Sequence, residues 1–206
     1  MRFDLHVHTT ISPCSQLDYQ DILSQARVKG LDGVCITDHE SMEIRRFIRE
    51  GIQDDGLCVI FGMEYSTSDG DFLIFGPFEN LPPGLSATDM LDAVRRADGA
   101  AVAAHPFRAG RAVAPFIFER GLCRIAERVN GRNTDVENRQ VALCASLHSL
   151  GLCGGSDAHT LDELGTVATW FQDGITSRND LVRALNKGRC EPIISEGDYL
   201  PETIAA

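Results

Sequence analysis

The sequence predicts a single α/β domain in which a mostly parallel sheet, covered by helices, closes into a seven-stranded (β/α)7 barrel of the TIM type. Three observations lead there. Seven short apolar runs of strand length alternate with segments of helical pattern, the order that builds a parallel sheet with helices on its faces. Most runs are continuously apolar rather than alternating, as in strands buried on both sides. Five of them end in His, Asp or Glu, and barrel enzymes carry their functional residues at the C-terminal ends of the strands.

The first run carries the pattern that organises the rest. Asp4-Leu5-His6-Val7-His8 places two imidazoles at i and i+2, and in an extended strand that spacing sends both rings to one face. Two histidines on one face form a claw for a metal ion. Four later runs have the same form, ending at Asp38-His39, Glu64, His105 and Asp157-Ala158-His159; of the six histidines only His148, on an apolar helix, lies elsewhere and reads as structural.

In chain order, Leu17 to Lys29 is amphipathic and stops at Gly30, which predicts a helix. A second strand starts at Gly33, Met42 to Gly51 reads as a charged helix, and Gln53 to Gly56 is a turn before the third strand. Phe72 to Phe75, reached through Asp69-Gly70-Asp71, predicts a hairpin partner for Glu64 to Thr67, inserted on the rim of the main sheet. After the loop at Pro82-Pro83-Gly84 comes a helix from Ser86 to Arg96, and a fourth strand delivers His105 before Pro106 ends it. A helix from Pro115 to Gly121, a fifth strand from Arg124 to Val129 and a long helix from Asp135 to Leu150 follow. The sixth strand brings Asp157 and His159, Thr166 to Phe171 is the seventh, and Ser177 or Asn179 caps a last helix ending at Lys187. One domain, with a core from about residue 2 to 190 and a patternless tail over 191–206, accounts for the chain.

Thirty acidic against nineteen basic residues give a net charge of −11. That excess repels polyanions, so no nucleic-acid polymer is expected as partner, while clustered carboxylates are tolerable where cations neutralise them. A small anion held by local arginines remains compatible. No apolar run approaches the roughly 20 residues of a membrane span, and the N-terminus lacks a secretory pattern. The seven cysteines include no CxxC pair, and Cys35, Cys58, Cys123, Cys144 and Cys153 lie in apolar segments, which suits reduced buried thiols and a cytoplasmic location.

Read together, Asp4-Leu5-His6-Val7-His8-Thr9, Thr37-Asp38-His39, Gly62-Met63-Glu64, Ala104-His105-Pro106 and Gly155-Ser156-Asp157-Ala158-His159 resemble, in order, the successive motifs of the PHP (polymerase and histidinol phosphatase) domain. The resemblance spans nearly the whole chain. It implies a distorted seven-stranded barrel with two or three metal ions on its C-terminal face, used in most members to hydrolyse phosphate esters. Carried over, it assigns His6, His8, Glu64 and Asp157 to a first ion, Glu64 as a bridge to a second that also takes His105, and His39 and His159 to a third. Mixed imidazole and carboxylate ligands suit Mn, Zn or Fe, and Asp4 and Asp38 are placed to orient ligating histidines. Two positions depart from the pattern. Where many relatives have Asp or His, this chain has Pro13 and Cys14, so that Cys14, or Asp18 reaching in, is a weak substitute or the third site is itself weak. After the fifth strand it offers Asn130-Gly131-Arg132-Asn133 and no histidine, which leaves two or three ions open.

The implied reaction is hydrolysis of a small phosphomonoester or nucleotide by a metal-bridging hydroxide. Glu64 would hold the ions, His39 or Asp38 would protonate the leaving group, and Arg108, Arg111 and Arg132, just downstream of barrel-end strands, would clamp phosphate oxygens. Two other readings compete: a non-catalytic metal-binding module that assists another protein, and a metal-dependent amidohydrolase. The latter lacks a metal-bridging lysine, because Lys29 and Lys187 are the only lysines and neither ends a strand.

Overall fold

In the computed structural model, which describes residues 1–194, the strands form two mixed sheets and not a closed barrel. The first holds β1 (Arg2–Val7), β2 (Gly33–Ile36), β3 (Gly51–Ile52), β4 (Cys58–Phe61), β10 (Val167–Phe171) and β11 (Cys190–Ile194); the second holds β5 (Met63–Thr67), β6 (Gly70–Phe75), β7 (Ala100–Ala103), β8 (Ile125–Asn130) and β9 (Gly151–Gly155). Their orders are β11-β10-β1-β2-β4-β3 and β5-β6-β7-β8-β9.

Two features overturn the regular barrel. The run from Val59 to Glu64, which reads as one strand, is divided at Gly62. Gly62 lies between β4 in the first sheet and β5 in the second, and a Cβ there would meet the Phe75 ring at 2.6 Å and the Ile74 carbonyl at 2.9 Å. The chain changes sheet where only a glycine fits. Second, only β1, β2 and β4 in one sheet and β7, β8 and β9 in the other run parallel; β3, β5, β6, β10 and β11 pair antiparallel, which breaks the βα repeat. The expected hairpin of β5 and β6 forms with Glu64 opposite Leu73, but β6 also pairs with β7 and is interior to its sheet, not a rim insertion.

Among the described residues the helices are α1 (Tyr19–Gln25), α2 (Ala87–Arg96), α3 (Phe116–Glu119), α4 (Asp135–His148) and α5 (Arg178–Asn186). Their starts follow capping chemistry. The Ser86 and Ser177 side chains accept from the backbone N–H three residues on, and Thr134 with Glu137 makes a reciprocal capping box. The expected helix from Met42 to Gly51 is reduced to one 3-10 turn, Glu43–Arg46, because Gly51 and Ile52 are taken up as β3. The apolar positions of α4 are not all core: Val141 is buried, whereas Val136, Leu143 and Leu147 are exposed. Of the expected tail, 191–194 forms most of β11, and the remainder lies outside the described residues. No helix among the described residues is long and apolar enough to cross a membrane, and all seven cysteines are free, with Cys144 only half-buried.

The two sheets meet at their functional end. Isolated bridges join Val7 to Ala158 and His39 to Glu64, so that residues leaving β1 and β2 touch residues of β5 and the β9 exit. Asp4 locks this seam, accepting from the Ser156 N–H at 2.9 Å and hydroxyl at 2.5 Å and from the Gly165 N–H at 2.9 Å. Burial nevertheless pushes its pKa up to about 6 against those hydrogen bonds.

Candidate metal centre

Period-two geometry delivers the first donors. Asp4, His6 and His8 share one face of β1 and its exit, and all three are buried. From the other sheet come Glu64 on β5, His105 after β7 and Asp157 and His159 after β9, while His39 follows β2. His105 and Asp157 both have positive φ, 31° and 57°, a backbone cost that a non-glycine residue bears where surrounding structure holds it.

The donors converge on Glu64. Its Oε2 lies 3.4 Å from His6 Nε2, 3.2 Å from His8 Nε2 and 3.0 Å from His39 Nδ1, and its Oε1 lies 2.9 Å from His105 Nε2. Asp157 Oδ1 is 3.6 Å from His6 Nε2 and 3.4 Å from His8 Nε2. Three groups have ligand atoms all within 4.8 Å of one another: His6, His8 and Asp157; Glu64, Asp71 and His105; and His8, His39 and His159.

These residues fit divalent ions. His6 Nε2 and His8 Nε2 are 3.0 Å apart, close to the roughly 3.3 Å that separates two nitrogens bound tetrahedrally to one ion at about 2.0 to 2.1 Å. Asp71 Oδ2 is buried without a hydrogen-bond partner and has only an ion pair to Arg111 at 3.2 Å and a 3.9 Å approach to His105 Nε2. For His6, His8 and His159 the opposite ring nitrogen is occupied in the way that metal-ligating histidines require, whereas His105 Nδ1 is buried without a hydrogen-bond partner. His159 Nδ1 donates to the Asp157 carbonyl at 2.8 Å. His8 Nδ1 meets Ser12 Oγ at 3.3 Å, and that hydroxyl donates to Asp38 at 2.6 Å. His6 Nδ1 meets Glu127 Oε1 at 2.9 Å.

The electrostatics follow from the crowding. Burial disfavours the charged form of Glu64, but the His6 charge and the contacts to His105 and His39 outweigh it and hold the carboxyl well below its usual range. Burial likewise opposes charge on His6, yet Asp157, Glu127 and Glu64 raise its pKa well above the ordinary value. For His159, burial together with the His8 and Arg132 charges lowers it.

The other expected site residues divide. Asp38 is saturated by the Thr9 N–H and hydroxyl, both at 2.7 Å, and by Ser12, and reaches His8 only through that serine. Asp18 caps α1, accepting from the Gln20 N–H at 2.8 Å, and is in none of the donor groups. Cys14 lines the recess over the cluster, exposed, with its thiol pKa pushed up by burial and by Glu64 and Asp157. Arg108, Arg111 and Arg132 line the same recess, of about 420 Å³. Arg108 is already bound to Asp157 at 2.8 Å, Asn130 at 2.7 Å and Asn133 at 2.9 Å; Arg132 has Glu163 at 3.6 Å.

Sequence reasoning missed Asp71, Ser12, Glu127 and Asn130. Asp71 was hidden by turn chemistry in Asp69-Gly70-Asp71. Glu127 left a usable signal, an acid inside the run Ile125-Ala126-Glu127-Arg128-Val129, since a fully buried carboxylate requires partners.

Comparison with known proteins identifies the class. The PHP domain profile matches residues 4–148, and a PHP-associated profile matches residues 136–190. The chain belongs to the PHP domain family. The uncharacterized protein MJ0417 of Methanocaldococcus jannaschii is 29% identical over 181 residues, 84% of this chain and 71% of that protein. In fold the chain is similar to PsfC from Pseudomonas syringae PB-5123, with a TM-score of 0.76 at 21% identity over 95% of this chain and 91% of that one. It is also similar to a two-domain protein from Bacteroides vulgatus containing a predicted PHP-like metal-dependent phosphoesterase, with a TM-score of 0.70 at 17% identity over 94% of this chain and 64% of that one.

The expectation that excluded nucleic acid does not stand. Endonuclease Q bound to a 27-mer duplex with an abasic lesion at its active site has a similar fold, with a TM-score of 0.67 at 16% identity over 90% of this chain and 56% of that one. Net charge is a property of the whole chain, whereas a polyanion meets the local potential of one face, here one with three arginines around the donor cluster.

Proposed function

We propose that the protein is a metal-dependent phosphoesterase that hydrolyses a phosphate ester at the seam of the two sheets. The observation that carries this reading is the convergence of five imidazoles with Glu64, Asp71 and Asp157 beneath a recess lined by three arginines. Ligands for cations below and N–H donors for an anion above are the complement of a phosphoryl group bound through metal ions.

His6, His8, Glu64 and Asp157 would hold one ion, Glu64, Asp71 and His105 a second, and His39 and His159 a third; Mn, Zn or Fe suits this mixture of nitrogen and oxygen. Bound there, such ions polarise a phosphoryl oxygen and lower the pKa of water toward neutrality. The chain's own residues do the rest. Glu64 spreads one carboxylate over both clusters. When it is not engaged by a third ion, His39, whose side chain is 26% exposed against 11% for His159 and 1% or less for the other three, is the histidine best placed to pass a proton to a leaving group. Arg132 and Arg111 keep free N–H donors for phosphate oxygens, while Arg108 fixes Asp157.

Turnover of an aryl phosphate by the purified protein with added manganese or zinc tests the reading. Metal-dependent release of phosphate that is abolished by Glu64→Gln is the expected result. A protein that binds the metal yet turns over no phosphomonoester or diester in a broad panel would replace it with a binding role.

A further inference from the structure

We propose that Glu127 is the positioning residue of this centre, one buried carboxylate that sets the tautomer of His6 with one oxygen and holds the backbone of His105 with the other. The proposal rests on the metal-centre reading and deepens it.

Glu127 lies on β8 and is 0% exposed. Its Oε1 sits 2.9 Å from His6 Nδ1, and its Oε2 accepts from the His105 N–H at 2.9 Å and from Asn130 Nδ2 at 2.9 Å. The two targets come from different sheets, because β1 carries His6 and β7 leads to His105. The carboxylate therefore ties together the two halves of the donor cluster at the seam, where no regular ladder does so. A proton held on Nδ1 by Oε1 leaves the Nε2 lone pair of His6 facing His8, Glu64 and Asp157. The bond from Oε2 helps hold His105 at its φ of 31°, a conformation further disfavoured by the following Pro106.

A neighbouring glycine makes room for this contact. A Cβ on Gly155 would lie 2.5 Å from His6 Cβ, 2.8 Å from Glu127 Oε1 and 2.9 Å from the His6 nitrogen. Gly155 has no positive φ, so the absence of a side chain there serves space and not backbone conformation. Asn130 extends the same support, with its amide 3.4 Å from Asp157 Oδ2.

The amide of Glu127→Gln cannot accept at both ends. With its oxygen toward the His105 N–H, its NH2 group faces His6 Nδ1 and favours the tautomer that points N–H at the metal. Loss of such an outer partner costs about tenfold to a hundredfold in metal affinity. The test measures zinc affinity by competition with a chromophoric chelator for wild type, Glu127→Gln, Glu127→Asp and Gly155→Ala, together with the melting temperature of each metal-free protein. Glu127→Asp keeps the charge but is one methylene short, and Gly155→Ala keeps the carboxylate but crowds the contact. The expected result is a loss of tenfold or more in zinc affinity in all three variants, each still folded at the assay temperature, with Gly155→Ala the lowest in metal-free melting temperature because its Cβ meets His6 atoms at 2.5 and 2.9 Å. Glu127→Asp or Glu127→Gln within about twofold of wild type would overturn the proposal, the first by reducing Glu127 to a charge. Lowered melting with unchanged affinity would reduce it to a structural residue. Should Glu127→Gln fail to fold, the other two decide the matter. A wild type that binds no zinc would defeat the metal-centre reading itself, a separate outcome from variants that bind as well as wild type.

Discussion

Two clusters of charge in this molecule, one half-buried around Arg178 and one buried around Glu64, are built to opposite rules. Around Arg178, at the start of α5, every strong donor meets an acceptor. Nε and Nη2 reach the two oxygens of Glu50, both at 2.9 Å, and Nη1 reaches Glu79 at 2.9 Å and the Gly76 carbonyl at 2.6 Å. Burial would lower the arginine's pKa, but Glu50 and Glu79 outweigh it and raise it, and the Arg178 contact holds Glu79 below its ordinary value against its own burial. The cluster around Glu64 instead points nitrogen at nitrogen across 3.0 Å and leaves the Asp71 Oδ2 atom without a hydrogen bond. One cluster closes on itself; the other needs an ion to complete it. Charge that is fully paired is costly to break, and buried charge that fails to pair marks chemistry.

The contrast breaks most sharply at Glu64. Glu64→Gln is expected to cut phosphate-ester turnover about a thousandfold, roughly 4 kcal/mol, while circular dichroism stays unchanged. Retention of near wild-type turnover would show that Glu64 does not bridge the two groups of donors.

Removing metal should reveal the incomplete cluster as a loss of stability. With free zinc at about one hundred times its Kd, binding adds about 2.7 kcal/mol, or roughly 5 to 11 °C in Tm for a chain of this size. In the metal-free protein the raised His6 pKa contributes stability that is fully present below its ordinary value of 6.5 and is lost as pH rises through the folded value. An ion on Nε2 needs that proton gone, so the gain in Tm on adding zinc should grow between about pH 6 and pH 8. A gain that shrinks over this interval would contradict the ligand role of His6.

Arg178→Ala sharpens the comparison from the other side. It strands Glu50 and Glu79 and should cost about 2 kcal/mol, yet leave zinc stoichiometry and kcat as they were. Should turnover fall with stability, the two clusters are coupled and the division drawn between them fails. The smallest effect is expected at the rim. Arg132→Ala should lower kcat/KM about tenfold, near 1.4 kcal/mol, mostly through KM, and an unchanged value would assign phosphate binding to the remaining donors alone.

Much of the centre was legible before folding was considered. His6 and His8 share a face because β1 repeats every two residues, and His39, Glu64, His105, Asp157 and His159 could be found as polar ends of apolar runs. The expected seven-stranded barrel was wrong, because the strands divide into two mixed sheets. Gly62 looked like one residue of a strand, and only the strand pairing shows that the chain changes sheet there, at a point where a Cβ would meet the Phe75 ring. Asp71 read as turn chemistry, and the whole-chain charge of −11 was given a local meaning that it does not carry.

What the sequence determined by itself was the set of donor types, their placement at strand ends and the caps at Ser86, Thr134 and Ser177. Each depends on residues within a few positions of one another, where backbone period and hydrogen-bond reach leave few choices. Only the tertiary structure decided which donors come within reach of one another, that Glu127 meets His6 from 121 residues away, and that Arg178 closes on Glu50 across 128 residues. Such pairings are set by how two sheets pack against each other, and a buried charge shows what it is for only once the groups around it are in place.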